Sequence, residues 1–189
     1  MKRRKRKVTV IEPPIVKYKG NILLIEKDDE VEGIVDNLLK CEVLGFDTET
    51  KPSFTKGVRN NIALLQLYSE TGAFLFRLNK IGFHPALIRL LEEESILKIG
   101  VAIRDDLRGL NKFQQFNPAG FIDLQTLAPQ YQLNSLSLKG LAAEVLDQRI
   151  SKRQQTSNWE AQNLTNAQIV YAATDAWVSL NIYKKLVSG

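Results

Sequence analysis

The stretch from Thr165 to Val187 constrains the fold more than any other part of the chain. Thr165 and Gln168 have the T-x-x-Q spacing of a capping box, and Leu164 with Ile169 can close a hydrophobic staple. A helix is therefore expected to start after Thr165 and run to about Val187. At about 100° per residue, Ile169, Ala172, Ala173, Ala176, Leu180, Tyr183 and Val187 make one apolar stripe. Tyr171, Asp175, Val178, Ile182 and Leu186 make a second stripe on another face. Two stripes imply burial on two sides. Asp175 sits inside the second stripe, and a buried carboxylate without a partner is costly. It needs a Lys, an Arg or a metal ion, unless that edge of the helix is exposed. Tyr171 lies one turn earlier on the same face, so a Tyr–Asp pair lining a cleft is expected.

The rest of the chain alternates strands with helices. Asn21–Glu26, Val43–Thr48, Ile96–Ile103 and Phe121–Leu124 read as strands, and Ile62–Tyr68 with Ala73–Leu78 as a hairpin around Glu70-Thr71-Gly72. Asp29–Leu39, Pro85–Glu94, Asp105–Lys112 and Ser137–Leu146 read as helices. This pattern predicts an α/β domain with a mixed sheet over 21–189, preceded by a basic tail and irregular lead-in over 1–20.

Composition removes several classes of function. Cys41 and His84 are the only residues of their types. No disulfide can form within the chain, which fits a reducing compartment. A zinc site of Cys and His is implausible, and catalysis by paired histidines is excluded. No apolar run is long enough to span a bilayer. Val8–Ile11 is followed at once by Glu12, Pro13 and Pro14, so the basic N-terminus does not read as a secretory signal. A cytoplasmic location is expected, or a nuclear one in a eukaryotic cell. The run Lys2–Lys7 holds six of the 26 basic residues, and the remainder carries 20 basic against 21 acidic side chains. The pI of 9.3 thus reflects a tail, either a solvated arm or a non-specific phosphate binder. Nothing in the sequence points to a particular oligomeric state.

Two further acidic clusters accompany Asp175. In Val43-Leu44-Gly45-Phe46-Asp47-Thr48-Glu49, alternation puts Asp47 and Glu49 on one face of a strand. Adjacent carboxylates repel, and their pKa values rise unless a cation lies between them. Hard oxygen ligands without His or Cys suit Mg²⁺ or Mn²⁺. The third cluster, Arg104-Asp105-Asp106, opens a helix after a strand. One aspartate can cap that helix while the other projects toward the strand ends, and the local physics does not choose between them.

Three motifs in this order resemble the DEDD superfamily of 3′–5′ exonucleases, in its tyrosine branch, which includes RNase D and the Werner-type exonuclease domains. They are Phe46-Asp47-Thr48-Glu49-Thr50, the segment Lys98–Leu107, and Tyr171-Ala172-Ala173-Thr174-Asp175-Ala176. Ile62–Leu67 and Thr156-Ser157-Asn158-Trp159 are also similar to that family, and Gly100-Val101-Ala102-Ile103 looks closest to the Werner-type subgroup. The resemblance aligns Asp106 with the family aspartate. It implies a ribonuclease-H-like sheet carrying two divalent cations, Mg²⁺ or Mn²⁺. Asp47 would bridge both, Glu49 and Asp175 would complete one site, and Asp106 would serve the second directly or through water. Tyr171 would orient the attacking water or help deprotonate it once the metal has acidified it, since a phenol with a pKa of about 10 is a poor general base by itself.

The implied substrate is the 3′ end of DNA or RNA, and the products are nucleoside 5′-monophosphates. Thr48, Thr50 and Phe54 near the first motif are candidates for holding the terminal nucleotide. Lys51, Lys56 and Arg59 in the following loop, and Lys152 and Arg153 in the connector Gln148–Asn163, are candidates for phosphates. Trp159 reads as a packing anchor. The rival reading is a catalytically inactive nucleic-acid-binding module of the same fold. All the acidic residues it would have lost are present.

Overall fold

The computed structural model describes residues 13–55, 57 and 60–188. The basic run Lys2–Lys7, with Lys56 and Arg59, lies outside them. Six strands form one sheet: β1 (Ile22–Ile25), β2 (Val43–Thr50), β3 (Ile62–Ser69), β4 (Gly72–Phe76), β5 (Leu97–Gly100) and β6 (Phe121–Asp123). Their spatial order is β1-β4-β3-β2-β5-β6. The β3–β4 hairpin supplies the antiparallel pairs, while β1 runs parallel to β4 and β2, β5 and β6 run parallel to one another.

Helices cover both faces. On one lie α1 (Val31–Leu38), α3 (Pro85–Glu92) and α4 (Ile103–Leu110), packed over Leu44, Phe46, Leu65 and Leu67. A single turn, α2 (Leu78–Ile81), precedes α3, and another, α5 (Leu124–Leu127), follows β6. On the opposite face lie α6 (Leu138–Leu146) and α7 (Asn166–Val187), packed over Tyr68, Ala73 and Ile99 of the sheet.

The expected capping box is present: Thr165 accepts from the backbone of Gln168, and the Gln168 side chain returns to the backbone of Thr165. Burial on two sides also holds, since Ala172–Ala176, Val178–Leu180 and Ile182 are buried. The first stripe ends early, because Val187 is 54% exposed at the last turn.

Three residues read as strand ends begin helices instead: Leu78 opens α2, Ile103 opens α4 and Leu124 opens α5. The cause of the second is Ala102, whose left-handed φ of 58° turns the chain directly from the sheet into the helix.

Gly45 fixes how closely α7 approaches the sheet. A Cβ there would lie 2.0 Å from the carbonyl oxygen of Ala176. Only glycine permits this contact, and it holds the middle of α7 against the face of β2 that bears Asp47 and Glu49.

Candidate active site

Strand alternation sorts the residues of β2. Phe46 enters the core beneath α1 and α3. Asp47 and Glu49 point the other way, toward α7, where Asp175 is 5% exposed. One oxygen from each of Asp47, Glu49 and Asp175 lies within 4.8 Å of the others. The exposed-edge reading of Asp175 is thereby removed.

Burial and crowding set the electrostatics. Burial pushes Asp47 well above the usual carboxylate range, and the charges of Asp175 and Asp106 push it further. Glu49 is driven up to about 10 by burial, then by Asp47, Asp175 and Asp106. Asp175 rises to about 7 through burial, although the nearby Tyr171 hydroxyl draws it back down. A tenfold change in acidity is about 1.4 kcal/mol, so ionising this cluster without a cation costs on the order of several kcal/mol. Oδ1 of Asp175 is buried without a hydrogen-bond partner. An orphaned carboxylate oxygen among hard oxygen donors is what a divalent cation requires, so the residues present fit Mg²⁺ or Mn²⁺.

Asp106 enters differently. It stands in the first turn of α4, and its carboxylate accepts the hydroxyl proton of Thr48. Burial lifts its pKa to about 6, opposed by that bond. It lies outside the 4.8 Å group and is joined to it through Thr48, the residue between Asp47 and Glu49. Asp105 points outward, with its side chain 83% exposed and 3.2 Å from Arg108. The geometry therefore separates two aspartates that the local sequence left equivalent.

Tyr171 lies near Asp175, and its ring is tilted against Trp159 at 6.1 Å. Burial raises the phenol far above its ordinary value, with the surrounding carboxylates adding to the effect. Tyr171 keeps its proton at neutral pH and acts as a donor. Trp159 is fully buried, as expected of a packing anchor.

A cleft of about 300 Å³ is lined by Asp47, Glu49, Tyr171 and Asp175, together with Lys139 and Lys152. Among the expected substrate contacts, Thr48 and Lys152 line this cleft. Thr50 lines a separate hollow beside Asp106. Arg153 lies in a neighbouring cleft that also reaches Asp175. Phe54 is 92% exposed and is not brought to any of these walls. Lys51 is taken up by Glu160 at 3.3 Å. His84 caps α3, accepting from the amide of Ala86 at 3.0 Å, away from the cluster.

Two residues near the cluster were missed from the sequence. Asp123 accepts from the backbone amides of Ala102 and Ile103 at 3.0 and 3.1 Å, and so holds the turn that presents α4 and Asp106. An aspartate ending a strand just before a helical turn is a cap signal that the reading passed over. Gln66 is directly opposite Asp47 in the ladder and fully buried, with both polar atoms of its amide unpaired. No periodicity marks it, because every residue of β3 is buried.

Comparison with known proteins agrees with this architecture. The family described as 3′–5′ exonuclease matches residues 22–188. The bifunctional 3′-5′ exonuclease/ATP-dependent helicase WRN of Mus musculus is 33% identical over 183 residues, covering 92% of this chain and 13% of that protein. Exonuclease 3′-5′ domain-containing protein 2 of Drosophila melanogaster is 38% identical over 149 residues, covering 77% of this chain and 25% of that one. The chain thus spans a quarter or less of these two relatives. Among solved structures, Escherichia coli RNase D matches with a TM-score of 0.79 at 28% identity, over 89% of this chain and 44% of that one. The Nibbler EXO domain of Aedes aegypti has a TM-score of 0.82 at 22% identity, covering 92% and 91%. The mixed sheet with helices on both faces is the ribonuclease-H-like fold of these exonuclease domains. With the acidic cluster at the end of its central strand and a family match over nearly its full length, this chain belongs to the 3′–5′ exonuclease family.

Proposed function

We propose that residues 21–189 form an active 3′–5′ exonuclease, which hydrolyses the last phosphodiester bond of a DNA or RNA strand and releases nucleoside 5′-monophosphates. The observation that carries this reading is the cluster of three carboxylates, with an orphaned oxygen on Asp175 and no ion pair to a Lys or Arg among the described residues. Membership of the family supports it. Two Mg²⁺ or Mn²⁺ ions are the proposed cofactors. A similar solved structure, 31% identical with a TM-score of 0.50, is that of the EXD2 exonuclease domain soaked in Mn and Mg. The RNase D of Escherichia coli is an exoribonuclease involved in structured RNA processing, which supports a nucleic-acid substrate.

Each side chain has a role in this scheme. Asp47, Glu49 and Asp175 would hold one cation, and Asp106 with Asp47 would serve the other. When bound, such ions stabilise the attacking and leaving oxygens of an in-line displacement. The Tyr171 hydroxyl, still protonated, donates a hydrogen bond that orients the attacking water or the scissile phosphate. Thr48 holds Asp106 in place, and Asp123 holds the turn beneath it. Lys152, which lines the cleft, meets a phosphate of the strand entering it.

The test is release of mononucleotides from 3′-labelled DNA and RNA oligonucleotides in Mg²⁺ or Mn²⁺, with Asp47→Ala as control. Stepwise shortening by the wild type, lost with EDTA and in Asp47→Ala, is expected. Oligonucleotide binding without release in either metal would establish an inactive binding module instead.

A further inference from the structure

The lead-in before β1 is irregular, yet it is tied down at three points. The amide of Arg149 donates to the carbonyl of Pro14, and the amide of Val16 donates to the carbonyl of Arg149, both at 2.8 Å. The amide of Tyr18 donates to Oγ1 of Thr174 at 3.0 Å. The Tyr18 ring also packs edge-on against Tyr68 at 5.4 Å and beside Trp177 at 5.8 Å. Thr174 is buried and immediately precedes Asp175. The lead-in is therefore fastened to the part of α7 that carries the acidic cluster, although it lies before the family match at 22–188.

This attachment builds a second cleft of about 370 Å³. Val16, Lys17, Arg153 and Asn166 line it together with Tyr171 and Asp175. Ser151, Tyr171 and Asp175 line both clefts, so the two meet at the carboxylates. Among the described residues, no carboxylate takes up Lys17 or Arg153. Lys51, by contrast, is neutralised by Glu160. Two cations that no described carboxylate takes up, lining a cleft that leads to the acidic cluster, are suited to a phosphodiester.

Resting on the exonuclease reading, we infer that Pro14–Tyr18 is part of the substrate site, and that Lys17 and Arg153 together hold a backbone phosphate of the strand upstream of its terminal nucleotide. The first cleft takes the terminal nucleotide, and the second guides the chain behind it. The same cations would suit the 5′-phosphate of a released mononucleotide, so the test separates strand from product.

The experiment uses the full chain with Lys17→Glu, Arg153→Ala and, as a charge-matched control, Lys40→Glu. Lys40 lies before β2, at the end of that strand remote from Glu49. Steady-state hydrolysis is measured on a long single strand and on a dinucleotide. Binding to the long strand is followed by fluorescence anisotropy in Ca²⁺ across a salt series. Lys17→Glu should raise KM for the long strand about tenfold, the scale of one lost contact, with kcat within about twofold. The defect should shrink on the dinucleotide. The slope of log affinity against log salt should fall by about 0.7 for the lost phosphate. Lys40→Glu should leave KM and slope as in wild type. An equal defect on both substrates, an unaltered salt slope, or weaker inhibition by mononucleotide with KM intact would overturn the proposal. Should the wild type release no mononucleotide, the exonuclease reading fails. The anisotropy series then still decides whether the cleft binds a strand.

Discussion

Two regions of this molecule bury charge, and they are built in opposite ways. Around Arg77 the chain supplies every counterpart itself. The guanidinium is fully buried, 2.9 Å from Glu26, within 3.3 Å of Asn79, and bonded to the carbonyl of Ala161. Lys98 is handled similarly: its ammonium donates to the carbonyl of Glu93 at 2.6 Å and sits over Phe121. In the cleft, Asp47, Glu49 and Asp175 are crowded together with no ion pair to a Lys or Arg among the described residues, and one oxygen of Asp175 has no hydrogen-bond partner among them. Charge that the fold neutralises internally is structural. Charge that the fold gathers and leaves unbalanced is waiting for a ligand, and its cost is what makes a bound metal stabilising.

The sharpest way to break this comparison is Asp175→Asn. Removing the charge should reduce mononucleotide release by about 10³-fold or more, equivalent to about 4 kcal/mol of barrier. The metal-free protein should melt higher near neutral pH than wild type. A variant that is both less active and less stable would make Asp175 a structural residue like Arg77.

The mirror experiment is Arg77→Met. Glu26 and the Ala161 carbonyl lose their partner, and breaking such a buried network costs about 3–5 kcal/mol. A fall of that size in urea unfolding is expected. A change below about 1 kcal/mol would show that Arg77 is not the balanced counterpart described here.

Metal and pH test the same contrast more gently. The acidic pKa values are raised on folding, so the folded cluster retains protons that the unfolded chain has already released. Stability of the metal-free protein therefore declines from about pH 4 upward, through about 6 for Asp106 and about 7 for Asp175. Thermal unfolding should show a lower Tm near pH 8 than near pH 5.5 without metal. Millimolar Mn²⁺ should restore several degrees at the higher pH and little at the lower. A metal response independent of pH would contradict the account.

The smallest effect is expected at Gln66, whose unpaired amide faces the same side of the sheet as Asp47. Gln66→Leu should raise unfolding stability by about 1 kcal/mol, since an unsatisfied buried amide is replaced by apolar volume. A loss of stability would mean that the amide is hydrogen-bonded, through water or a bound ion.

The sequence by itself determined the local elements and the chemistry they carry. A capping box, two apolar stripes and strict alternation in β2 are short-range patterns. They placed α7, set Asp175 within an apolar stripe, and put Asp47 and Glu49 on one face of a strand, while burial of Asp175 was decided by its packing against β2. Element ends were less legible. Ile103 continues an apolar run, and only the left-handed turn at Ala102, held by Asp123 from the next strand, makes it helical. Tertiary structure alone decided between Asp105 and Asp106, because the choice depends on Thr48, distant in sequence. It also decided that the lead-in is a wall of a cleft, that Phe54 stands in solvent, and that Gln66 lies beside the acids. These are facts of long-range contact, and neither periodicity nor composition encodes which distant segments meet.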